Sequence, residues 1–163
     1  MPNLRFLIPC LLPFADAWAQ RQELALLKTG MSLTPSQFKD AQQAGVLCPE
    51  KVRLMVSDVI PVPKDLFWAA CTFLYQLVCS KPIGFALGYG IYIQPKYLNS
   101  RSVLVHELVH VAQHERFDDL KAFVKAYLSE VLEFGYRNAP LEQEAKAIEE
   151  AICVVKLSNR RKL

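Results

Sequence analysis

Two histidines and a glutamate interrupt a nearly unbroken apolar run, Val103-Leu104-Val105-His106-Glu107-Leu108-Val109-His110-Val111-Ala112-Gln113. Burying imidazoles and a carboxylate without partners costs on the order of several kcal/mol, so something must compensate them. On a helix, His106 and His110 fall about 40° apart on one face and roughly 6 Å apart along the axis. Both rings can therefore converge on one ion. Glu107 lies beside them, within reach of a water held by the same ion. The H-E-x-x-H spacing predicts a zinc site with His106 and His110 as ligands and Glu107 as general base. The bland alternative is a pair of core histidines satisfied by backbone carbonyls, and the apolar setting argues against it.

A catalytic zinc takes three protein ligands and a water, so a third ligand is required. His114 continues the i, i+4 ladder but would stand about 12 Å along the axis from His106. It reads instead as a surface or supporting residue. Better placed are glutamates at the start of the last helix, in Pro140-Leu141-Glu142-Gln143-Glu144-Ala145. Helical periodicity prefers Glu144, about 60° from the apolar stripe, over Glu142, at about 100°.

These residues need elements to carry them. Ala15 to Leu27 reads as a helix anchored by Trp18, Leu24 and Leu27 and closed at Gly30. Thr34 as N-cap, Pro35 at the first position and Gly45 as stop mark a second helix. Val52 to Ile60 alternates like a short strand ended by Pro61-Val62-Pro63. Leu66 to Cys79 is the most hydrophobic segment, yet at about fourteen residues it falls short of the roughly twenty needed to span a bilayer. It reads as a buried helix.

Gly84 to Ile93 reads as a glycine-punctuated strand. It is either an ordinary core hairpin or a strand whose Tyr89 to Ile93 edge accepts a peptide by strand addition. Ser100 is placed to cap the H-E-x-x-H helix. Leu120, Phe123, Val124, Tyr127, Leu128, Val131 and Leu132 follow helical spacing up to Gly135. A final helix from Pro140 carries Leu141, Ala145, Ile148, Ile152 and Val155 on one stripe.

Composition narrows the class. The chain has 163 residues, 52% hydrophobic and 21% charged, which suits one compact domain with a real core. A net charge of +3 is mild, and no basic patch is interleaved with aromatics, so nucleic acid is not an expected partner. Five cysteines, an odd number with no C-x-x-C, read as free thiols in a reducing compartment. The expected location is the cytoplasm. A secreted or periplasmic alternative would need residues 1–17 to act as a signal, against which stand Pro9, Pro13 and a very short apolar core.

The motif H-E-L-V-H-V-A-Q, followed by G-Y-x-x-x-P-L-E-x-E-A at 135–145, resembles the gluzincin metallopeptidases. More narrowly, it resembles small bacterial proteins with an H-E-L-x-H-V-x-Q motif and a minimal gluzincin core. The resemblance covers residues 88–152. It implies one zinc per chain held by His106, His110 and Glu142, because the ligand glutamate of that family stands three residues before an alanine (here Ala145). The aspartate expected next is Lys146, so an acidic partner able to orient a histidine must come from elsewhere.

The implied reaction is hydrolysis of a peptide or protein by activated water. Tyr136 is the candidate oxyanion donor, with Arg137 second, and Gln113 is a candidate brace. The competing readings are a catalytically weak or inactive binding scaffold, such as a component of a toxin or secretion system, and a membrane-associated peptidase.

The expected fold is α+β and mostly α-helical, with a small antiparallel sheet beside the H-E-x-x-H helix. Residues 1–83 form an N-terminal helical region with a short strand that covers the cleft or gates it, and 84–163 form the zinc-binding core.

Overall fold

A computed structural model describes residues 8–59 and 83–160; the buried helix expected over Leu66 to Cys79 lies outside them. The fold is α+β and mostly helical. In chain order the elements are α1 (Ile8–Thr29), β1 (Met31–Ser32), α2 (Pro35–Gln43), β2 (Arg53–Val56), β3 (Gly84–Leu87), β4 (Gly90–Ile93), α3 (Arg101–His114), α4 (Leu120–Phe134) and α5 (Pro140–Arg160).

The four strands form one sheet in the order β1-β2-β4-β3. The β1–β2 and β3–β4 pairs are antiparallel, whereas β2 and β4 run parallel, so the sheet is mixed rather than wholly antiparallel. The cause is connectivity. β3 and β4 are joined by the two residues Gly88 and Tyr89, which forces them antiparallel, while β2 is separated from β3 by a long connection that leaves its direction open. Gly84 to Ile93 is therefore a hairpin. Its second arm is an inner strand with every residue buried, and of the two arms it is β3, not Tyr89 to Ile93, that lies at a sheet edge.

α1 begins earlier than the composition suggests and runs through Pro13. Its buried positions are Ile8, Ala15, Ala19 and Leu26, whereas Leu24 and Leu27, expected as anchors, point outward. The stripe at spacings of four and seven, not the largest side chains, faces the sheet. Polar groups on this side of the helix are used: Glu23 accepts the Tyr89 amide at 3.0 Å and Gln22 accepts the Tyr92 hydroxyl at 3.2 Å. α2 has the cap read from sequence, a reciprocal box in which Thr34 accepts the Gln37 amide and Gln37 accepts the Thr34 amide.

α3 is enclosed. Its Leu104, Leu108, Val109 and Val111 share one core cluster with Val52 and Leu54, Ile91 and Ile93, Ala41 of α2 and Ala44 just past its end, and Ala145 of α5. Residues on both sides of position 83 thus contribute to one sheet and one core. Enclosure explains why α3 has no polar face to balance its apolar one.

Both ends of α3 are anchored by charge. Arg101 forms a two-pronged pair with buried Asp40 of α2, at 2.8 and 2.9 Å, and also donates to the Ile152 carbonyl of α5. Glu115, just past the other end, accepts the Leu47 and Cys48 amides and the Tyr89 hydroxyl. Ser100 occupies the N-cap position, but its hydroxyl meets Ser102 instead of capping the helix. Among the described residues, no helix is long and apolar enough to cross a membrane.

Candidate metal centre

Three elements deliver the site. α3 presents His106, Glu107 and His110 on adjacent positions of one face. α4 opens on Asp119, which caps the Ala122 amide at 2.7 Å, and closes on Gly135 at φ +77°. A Cβ at Gly135 would touch nothing, so the backbone angle alone calls for glycine there. One 3-10 turn over Tyr136–Asn138 then starts α5 at Pro140. The Leu141 amide at its first turn is capped by Glu130 of α4 at 2.8 Å. This geometry sets Glu142, in the first turn of α5, against α3.

His106, His110 and Glu142 form a group that could hold a metal ion. The facing Nε2 atoms of His106 and His110 are 3.2 Å apart. One carboxylate oxygen of Glu142 is 3.3 Å from His106 Nε2, and the other is 3.3 Å from His110 Nε2. A tetrahedral ion with bonds of about 2.0–2.1 Å separates its ligand atoms by about 3.3 Å. The spacing therefore fits such an ion, and two ring nitrogens this close need a cation or proton between them.

Hydrogen bonds behind the rings dictate which nitrogen carries the proton. Gln113 is fully buried, and its amide nitrogen donates to the Leu141 carbonyl at 2.8 Å and to Glu144 at 2.9 Å. Its amide oxygen is thereby turned to His110 Nδ1, at 2.8 Å. An oxygen can only accept, so His110 carries its proton on Nδ1 and offers the Nε2 lone pair to the cluster. Glu149 does the same for His106, with Oε2 3.2 Å from Nδ1. Glu149 is the acidic partner absent at position 146; Lys146 is exposed.

Tyr127 reaches the cluster. Its hydroxyl donates to Glu142 Oε1 at 2.6 Å, and its ring stands edge-on to His110 with centroids 5.9 Å apart. Tyr136 is half-buried in the turn before α5, and Arg137 beside it is exposed, its carbonyl accepting the Gln143 amide. Glu144 lies outside the cluster, paired with Arg116 at 2.6 Å and supporting Gln113. His114 is half-buried among aromatic rings, edge-on to Tyr89 and Phe123, and not on the surface. Its Nδ1 is buried with no hydrogen-bond partner among the described residues, and burial lowers its pKa against the pull of Glu23, Glu115 and Asp119.

The cluster favours positive charge. Burial of the His106 ring opposes its protonation, but the Glu142 hydrogen bond and the charges of Glu107, Glu142 and Glu149 prevail and push its pKa up to about 9. Burial alone would raise Glu142; hydrogen bonds from His106, His110 and Tyr127 overcome it and hold this carboxyl well below the usual range. Glu107 goes the other way. Burial raises its pKa, only partly offset by the two histidines and by a hydrogen bond from the Ala86 amide of β3.

Reading the residues from sequence left two contributors unassigned. Tyr127 counted as one of the α4 stripe residues, although a buried phenol needs a polar partner. Glu149 stands seven residues after Glu142, two turns along the same face of α5, a spacing that could have identified it. Comparison with protein-family models, with curated proteins and with solved structures gives no match for this chain.

Proposed function

We propose that this chain is a zinc-dependent metallopeptidase with His106, His110 and Glu142 as ligands and Glu107 as general base. The observation that carries the reading is the juxtaposition of a His-His-Glu triangle of tetrahedral size with a buried carboxylate held at a sheet edge. The donor set is that of catalytic zinc sites, two imidazoles and a carboxylate that leave a coordination position open. Zinc so held supplies a Lewis acid and a water activated near neutral pH.

Glu107 takes the proton of the attacking water and passes it to the leaving amine. Tyr127, whose hydroxyl lies beside Glu142, joins Tyr136 as a candidate donor to the oxyanion that develops on the substrate carbonyl.

A peptide substrate is favoured by β3. The Gln94 amide bonds the Ile83 carbonyl, and hydrogen-bonded pairs alternate along an antiparallel ladder. With Gly84 opposite Ile93 and Ala86 opposite Ile91, these two residues turn their main-chain groups away from β4. An extended peptide can pair with the Gly84 groups and the Ala86 carbonyl, the Ala86 amide being turned to Glu107. Cys10 and Cys48 are free thiols, which fits a reducing, cytoplasmic setting.

The test combines elemental analysis of dialysed protein with hydrolysis of a mixed peptide library. About one zinc per chain is expected in the wild type, in Glu107→Gln and in Glu144→Ala, and none in Glu142→Ala. Hydrolysis should fall by about 10²–10⁴ in Glu107→Gln. A wild type that takes no zinc even after reconstitution removes the reading. Zinc binding with hydrolysis no greater than in Glu107→Gln would instead leave a metal-holding scaffold.

A further inference from the structure

Gly84 opens β3, and no left-handed backbone angle demands glycine there. The reason lies in what faces it. A Cβ built on Gly84 would stand 2.5 Å from Oε1 of Glu107 and 2.9 Å from its Cδ and Cγ. Non-bonded carbons keep about 3.5–4.0 Å from their neighbours. Two residues along the same strand, the Ala86 amide donates to that carboxylate. β3 thus touches Glu107 twice, with a hydrogen bond and with a space where a side chain would be.

We propose that Gly84 is a positioning residue: its missing side chain sets where the Glu107 carboxylate rests, so the sheet edge and not α3 alone aims it. This rests on the reading of Glu107 as the base. Three of the nearest carboxylate and methylene atoms belong to the far end of a side chain, so a methyl group at position 84 should displace Glu107 before it disrupts the strand.

A double-variant cycle tests this with two independent readouts: melting temperature of the zinc-loaded protein and steady-state peptide hydrolysis. The four proteins are the wild type, Gly84→Ala, Glu107→Ala and the double variant. Gly84→Ala should lower Tm by roughly 2–6 °C in the wild-type background and by almost nothing where Glu107 is already alanine. It should keep its zinc and lose at least about tenfold in kcat with KM changed less than about twofold.

Equal Tm losses in both backgrounds would overturn the proposal, because the strand itself would then need glycine. So would an unchanged kcat. If Gly84→Ala fails to fold, a folded double variant supports the proposal and an unfolded one overturns it. Coupled Tm values in a protein that hydrolyses nothing would retain Gly84 as the residue that positions Glu107 and remove the peptidase reading alone.

Discussion

Deleting the carboxylate of Glu149 should weaken zinc binding without touching a ligand. Its Oε2 sits 3.2 Å from Nδ1 of His106, and the two side chains are 24% and 19% exposed. That places the contact between a surface ion pair, worth up to about 1 kcal/mol, and a buried hydrogen bond to a charged group, worth about 1.5–3 kcal/mol. Loss of a carboxylate behind a ligating histidine typically costs about 10–100-fold in affinity. For Glu149→Ala the partial exposure points to the lower part of that range, about 10–30-fold, or roughly 1.4–2 kcal/mol.

Glu149→Gln separates orientation from charge. The amide oxygen can still accept from Nδ1–H and so keep the Nε2 lone pair on the metal side; the expected loss is about threefold. Competition between metal-free protein and a chromophoric chelator, at one fixed pH because ligand protons compete with the ion, measures both. Affinity of Glu149→Ala within about twofold of the wild type would refute the assignment. A glutamine variant as weak as the alanine one would refute the role of hydrogen-bond orientation.

Tyr127→Phe should keep zinc and lose about 10²–10³ in kcat if the phenol serves the oxyanion; an unchanged kcat returns that role to Tyr136 or Arg137. The metal-free protein should have a pH-dependent Tm of defined sign. The pKa of His106 is raised from 6.5 to about 9, so its contribution is fully present below about pH 6.5 and lost as pH rises through 9, amounting to about 3 kcal/mol. Glu142 is depressed below its ordinary 4.5, so its contribution is present above that value and lost on acidification. A chelator-stripped protein whose Tm is flat between about pH 6 and 9.5 would contradict the His106 part.

What could be read from the letters was whatever depended on local spacing. His106, Glu107 and His110 share one helical face, so their juxtaposition follows from α3 alone. Thr34 with Gln37, and Gly135 after the α4 stripe, are short-range signals of the same kind. Glu142 was different. The apolar period of α5 favoured Glu144, but the period measures which face meets the core on average, whereas the site touches only the first turn. There Pro140 and the Glu130 cap decide the angle, and Glu144 swings out to Arg116.

The sheet was the least legible part. Parallel pairing of β2 with β4 depends on a long connection, about which local patterns carry no information. The glycines of the hairpin fit an ordinary core hairpin or room for another backbone equally well; the segment is a hairpin, and at Gly84 the space is filled by a carboxylate from α3.

The charge carried by this core explains why an apolar helix tolerates its polar residues. Glu107, Glu142 and Glu149 surround two imidazoles, and among the described residues the ion pairs of Glu142 and Glu149 are with those histidines. One proton on His106 compensates a single negative charge and leaves the others facing a low-dielectric interior. A divalent ion in the same place compensates two, and it removes the conflict between nitrogen lone pairs 3.2 Å apart. Carboxylates that burden the metal-free fold would be the ones that strengthen a hold on a dication. Binding energy and folding energy would then be shared, and stability would rise with free metal concentration as RT ln(1 + [L]/Kd).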